Sequence, residues 1–191
     1  MFKTLKKITL FIYITILSFS FNPAFAAQIR SDYTKINFND CLLLNADDFG
    51  ARFACPGYKG FPLYIAEGDL RFFVSYGFNA LNEKAASQTL PPFNRLNDTI
   101  EWRLEFNKET GNYFPFATIL RWFTQTEDFE NEKIIESDIL VVTKIESGNT
   151  CHIAYIDVSL IKNANEIARS FADEEAKNFN CQNDDIFKIP D

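Results

Sequence analysis

The chain has 191 residues and a formal charge of −7, with 47% hydrophobic, 16% aromatic and 24% charged residues. That length and apolar content suit one domain with a real core and exclude wholesale disorder. An acidic chain without a basic run is poorly made for gripping nucleic acid or anionic lipid, since phosphates must be neutralised by Lys and Arg.

The first 26 residues read as an export signal. Lys3, Lys6 and Lys7 form a basic start, ITLFIYITILSFSF an apolar run, and Ala24 and Ala26 a small-x-small cleavage site. The apolar run is shorter than the ~20 residues that a spanning helix needs. Cleavage after Ala26 predicts one globular domain over 27–191, located in the periplasm or secreted, with no membrane span. It leaves 16 basic residues against 26 acidic ones, a charge of −10.

Strand signals follow in order. Ile36 and Phe38 alternate with polar residues and run into Cys41–Leu44; Ala51–Cys55 forms the second arm of an early hairpin. Leu63–Glu67 and Leu70–Tyr76 flank Gly68-Asp69 as a second hairpin, with Leu70, Phe72, Val74 and Tyr76 on one face. Residues Gly77–Asp98 read as an ordered surface loop with about one helical turn, and loops this long are uncommon without a task. From Thr99 to Phe106, Ile100, Trp102, Leu104 and Phe106 alternate with Glu101, Arg103 and Glu105, which predicts a strand with one wet face. Phe116–Thr124 and Cys151–Val158 are further strands, and the continuously apolar Ile139–Val142 predicts a central strand covered on both sides.

The period then changes. Ile161, Ala164, Ile167, Ala168, Phe171, Ala172, Ala176 and Phe179 recur every three or four residues, an amphipathic helix, and Asn163 with Glu166 has capping-box spacing. The expected fold is α+β: a mostly antiparallel sheet of about six to eight strands, with one C-terminal amphipathic helix packed on it.

Four cysteines behind an export signal predict two disulfides. Of the three possible pairings, Cys41–Cys55 closes the early hairpin and Cys151–Cys181 ties a late strand to the end of the helix. There is no Cys-x-x-Cys, and with a single histidine no metal site or cofactor is expected. His152, beside a cystine on the strand side shared with Ala154 and Ile156, is read as structural; no Gly-x-Ser-x-Gly supports a triad. No Gly-rich phosphate loop is present. Asp47-Asp48 and Asp184-Asp185 read as solvated turn and tail residues.

The segment CPGYKGFPLYIAEGDLRFFVSYG, from Cys55 to Gly77, gathers aromatic and charged residues around a Pro/Gly-rich loop. Tyr58, Lys59, Tyr64 and Arg71 are its candidate binding residues, joined by Arg121 and Trp122, because aromatic and Arg groups on a rigid loop are common anchors of binding surfaces. No catalytic residue is assigned.

That segment, PFATILRWF (Pro115–Phe123), VVTKI (Val141–Ile145) and CHIAYID (Cys151–Asp157) resemble an uncharacterised family of secreted or periplasmic alphaproteobacterial proteins. The likeness runs over most of 27–191, including the helix and Cys181. It implies a bacterial envelope or extracellular setting and carries no catalytic residue. The expected function is an exported, disulfide-stapled binding module whose partner is a protein or an envelope polymer. Two alternatives remain: a secreted effector acting on a host, or an envelope glycan hydrolase using paired carboxylates with Gly77–Asp98 as its lid. The residues favour a binding protein over an enzyme.

Overall fold

Strand pairing divides the chain between two stacked sheets. The structure is a computed structural model that describes residues 28–190; the expected export signal lies outside the described residues. The strands are β1 (Ile29–Lys35), β2 (Leu42–Asp47), β3 (Gly50–Pro56), β4 (Pro62–Gly68), β5 (Arg71–Tyr76), β6 (Phe93–Asn107), β7 (Asn112–Asp128), β8 (Lys133–Lys144), β9 (Cys151–Asp157) and β10 (Phe187–Ile189). Helix α1 (Ala164–Glu175) lies between β9 and β10. One sheet has the order β1-β6-β7-β8-β9-β10, the other β2-β3-β4-β5. All pairs are antiparallel except β9 with β10. The α+β class and both expected disulfides, Cys41–Cys55 and Cys151–Cys181, are present.

The six-stranded sheet is the middle of three layers. On one side Ile100, Trp102, Leu104, Leu120, Trp122 and Val141 meet Cys55, Leu63, Ile65, Val74 and Tyr76 of the small sheet. On the other, Ala117, Ile119, Leu140, Val142, Ala154 and Ile156 meet α1. This explains the unbroken apolar run of β8, which is covered on both faces. The helix buries Ala164, Ala168 and Ala172. A ridge of methyl groups spaced four apart lets its backbone lie close to the sheet, with Ile167 and Phe171 flanking it.

Several local expectations are corrected. Beyond the helix start, Asn163 makes no side-chain cap; its carbonyl accepts the backbone N–H groups of Glu166 and Ile167 instead. Residues Phe38–Asp40 form a 3₁₀ turn, and β1 lies upstream in a stretch with no apolar alternation. It is an edge strand ordered by pairing with β6. Leu70 leaves the β5 face: with Asp69 it forms the two-residue turn, both at positive φ, the I′ geometry that matches strand twist.

The face of β6 expected to be wet is instead covered by the helix. Glu101 and Arg103 are each 7% exposed. Arg103 donates Nε to Asp173 Oδ1 at 2.8 Å and Nη2 to Asp173 Oδ2 at 2.5 Å, a bidentate pair. Arg169 donates Nε to Glu101 Oε1 at 2.7 Å and Nη2 to Oε2 at 3.2 Å. Ser31 of β1 joins them, donating to Glu101 and accepting from Arg103. Glu101 thereby holds the Arg169 guanidinium above its ordinary range. Alternation in a strand reports that a face is polar, and here the polar face meets an ion-paired helix.

The segment after β5 is sewn down. Two 3₁₀ turns, Ala80–Asn82 and Lys84–Ser87, carry the buried Glu83, whose carboxylate accepts the backbone N–H groups of Gly148 and Thr150 at 2.7 and 3.0 Å. Gln88 accepts from His152 N, and Thr89 donates to the Phe72 carbonyl. From Phe93 onward the chain is already in β6.

Candidate functional site: the outer face of the four-stranded sheet

Alternation along β3, β4 and β5 sets two faces. Phe53, Cys55, Leu63, Ile65, Phe72, Val74 and Tyr76 turn toward the inter-sheet core. The opposite face is built in three rows fixed by the strand register: Leu42, Ala54, Tyr64 and Ser75; then Asn45, Arg52, Ala66 and Phe73; then Asp47, Gly50, Gly68 and Arg71. A bulge at Leu44 shifts the register of β2 and sets Asn45, rather than a leucine, beside Arg52.

These rows form a groove of about 300 Å³, lined by Asn45, Asp47, Arg52, Tyr64, Ala66 and Phe73 with Ala86 from the 3₁₀ turn. Small residues make the floor and larger ones the walls. Gly50 has a steric reason to be glycine: a Cβ there would stand 2.1 Å from the Glu67 carbonyl oxygen, so the hairpin tip closes onto β4 only without a side chain. Phe49, at that tip, is 86% exposed.

Arg52, Asn45, Tyr64 and Glu67, all lining this groove, have no side-chain partner among the described residues. Arg52 is an exposed guanidinium with no ion pair or hydrogen bond. Asn45 uses neither end of its amide. Tyr64 is 7% exposed, yet its hydroxyl bonds to nothing. The ring is buried, but the oxygen itself is not among the enclosed side-chain atoms and reaches the groove's solvent. Asp47, by contrast, is engaged, accepting the Phe49 N–H at 2.8 Å.

The six sequence candidates are spread over several parts of the molecule. Tyr64 lies in the groove. Arg71 begins β5 at its edge, but its guanidinium turns away to the Pro91 carbonyl at 2.8 Å and to Asp69. Lys59 is exposed at φ 46°, over the ring of Tyr58. Tyr58 is buried, its ring packed with those of Phe61 and Tyr76 around Trp102, and its hydroxyl is enclosed without a partner. Trp122 is buried in the inter-sheet core, while Arg121 faces the helix side and pairs with Asp138 at 3.0 Å. Arg52 and Asn45 were missed by sequence reasoning. The signal was present for Arg52, since G-x-R-x-A on β3 places a lone cation between two small residues; Asn45 depends on the bulge.

His152 lies on the opposite face from the one expected. Val142 pairs with Ala154 but Thr143 pairs with His152, so Ile153 is an extra residue, and the bulge rotates the imidazole away from Ala154 and Ile156 into the inter-sheet core. Its Nδ1 lies 3.0 Å from Tyr155 Oη, the Trp122 ring packs edge-on at 5.7 Å, and Nε2 is enclosed without a partner. Burial pushes the imidazole down to about 3 and the Tyr155 phenol up to about 12. A triad histidine is oriented by a carboxylate, and a phenol stands at that nitrogen here.

The carboxylates are mostly held in structural contacts. Glu101 and Asp173 are bound to arginines and Glu83 to backbone N–H groups. Asp98, Asp128 and Glu146 are held below their ordinary range, chiefly by hydrogen bonds from Lys35, Asn131 and Lys144 respectively. A general acid needs the opposite shift. A larger cavity of about 540 Å³ lies beside the C-terminal turn, but Asp184 there accepts the Asn180 N–H and closes the turn itself. Among the described residues no group of His, Cys, Asp and Glu is placed to hold a metal ion, and no helix is long and apolar enough to cross a membrane. Comparison with protein families, curated proteins and solved structures found no match for the chain.

Proposed function

We propose that the protein is an exported binding module of the bacterial envelope, and that the outer face of its four-stranded sheet is the surface it presents. One observation carries this reading: a solvent-reachable tyrosine hydroxyl, on an otherwise buried ring, and an exposed guanidinium line one groove with no protein partner for either. Groups held in place with their hydrogen-bonding capacity left open are available to a ligand. The two disulfides suit an oxidising compartment. The basic-apolar start of the sequence supports export.

The oxidised protein is expected to co-sediment saturably with envelope fragments of its own cell, and Arg52→Ala with Tyr64→Phe to weaken that binding by about tenfold or more without lowering the melting temperature. Binding that does not saturate, or that both substitutions leave intact, would remove the groove from the account. Sequencing of the exported protein is expected to begin at Ala27.

A further inference from the structure

We propose that the groove recognises a saccharide unit carrying a single carboxylate, a deepening that rests on the binding-module reading above. The anionic requirement comes from Arg52. Among the described residues it is the one cation lining the groove, and a guanidinium without a partner is matched best by a planar carboxylate that takes two parallel N–H donors. A single charge per unit follows from the rest of the molecule. Asp47 stands one row away, Glu67 also lines the groove, and the chain carries −7 overall, so phosphate polymers and polyuronates meet repulsion that a single carboxylate seated on Arg52 lessens.

The saccharide follows from the other walls. Phe73, half-buried, presents aromatic surface beside the small side chain of Ala66, where the apolar face of a pyranose ring fits. The Tyr64 hydroxyl and Asn45 amide supply donors and acceptors for ring hydroxyls or an acetamido group. An extended peptide is the poorer match. β3 and β4, which carry Arg52 and Ala66, are interior strands whose backbone groups are already spent on their neighbours. A peptide could pair only along the edge strand β2 and would not lie over Arg52. The volume, about 300 Å³, falls at the small end of ligand sites and fits one or two sugar rings.

The test is calorimetric titration of the oxidised protein with N-acetylmuramic acid against N-acetylglucosamine, which lacks its lactyl carboxylate, and with D-lactate alone. The acidic sugar is expected to bind at least about tenfold more tightly than either. Arg52→Gln should erase the preference for the acid, and Tyr64→Phe should weaken the acidic sugar several-fold while retaining that preference. Equal binding of the two sugars, or binding of lactate as tight as that of the acidic sugar, overturns the proposal. If no sugar binds while envelope fragments are still held in an Arg52-dependent way, the ligand class falls and the binding-module reading stands.

Discussion

Between pH 7 and pH 5 the protein is expected to lose about 2 kcal/mol of stability, and one buried side chain to account for nearly all of it. His152 is the sole histidine, is 1% exposed, and is held neutral down to about pH 3. In the unfolded chain an imidazole takes up its proton near pH 6.5. The folded pKa is therefore depressed, so the contribution is fully present above about pH 6.5 and drains away as the pH falls toward 3. The slope approaches about 1.4 kcal/mol per pH unit once the unfolded imidazole is protonated. Both cystines are closed and carboxylates of the unfolded chain take up protons chiefly below pH 5, so the imidazole dominates the window from 7 to 5. Urea unfolding at a series of pH values checks this. His152→Gln is expected to be less stable at pH 7 but to lose only a few tenths of a kcal/mol across the same window, whereas an unchanged slope would contradict the burial of the ring.

The second large effect is expected at the bond between helix and sheet. Asp173→Ala leaves the Arg103 guanidinium beneath α1 without its bidentate carboxylate, in a side chain only 9% exposed. Removing one member of a fully buried pair costs about 3–5 kcal/mol. Asp173, however, is 26% exposed and Glu101 Oε1 stays 3.7 Å from Arg103 Nη1, so a loss of about 2–3 kcal/mol is expected here. Replacing both partners with apolar residues of similar size leaves no orphan. Arg103→Met with Asp173→Leu is therefore expected to recover at least half of that loss, in the same urea experiment. If the single and double variants are equally destabilised, the contact acts through packing and the ionic argument fails. The pair Arg169–Glu101 remains in both variants, so the helix keeps one anchor and the comparison stays within a folded protein.

What alternation shows is the polarity of a face, and what covers that face is a separate question. β6, β8 and β9 were legible because Ile100 to Phe106, Ile139 to Val142 and Cys151 to Val158 carry strong apolar patterns. The cysteines fell where hairpin ends and a helix end would bring them together. The division into two sheets was not legible, since a strand's sequence does not name its neighbours. Glu101 and Arg103 read as wet because ion pairs and water ask for the same residues. β1 escaped because an edge strand held by β6 needs no apolar stripe of its own. His152 was misplaced and Asn45 missed because one inserted residue in each strand flips the later side chains to the other face.

The candidate site shows the same division. Tyr64 stood out as an aromatic in a distinctive segment. Arg52 acquires its meaning from Ala66, Phe73 and Tyr64, which come from other strands and meet it only through register. Tyr58 and Trp122 stood out by the same aromatic criterion and belong to the core.

The central claim is that ligands meet the outer face of β2–β5. Two-dimensional ¹⁵N–¹H spectra of the oxidised protein, recorded during titration with soluble fragments of its own envelope glycan, test it most directly. The account predicts saturable shifts concentrated at Asn45, Arg52, Ala66 and Phe73 and lost in Arg52→Ala. Shifts centred on α1 or on the β7–β8 hairpin, with those four residues unmoved, would contradict it.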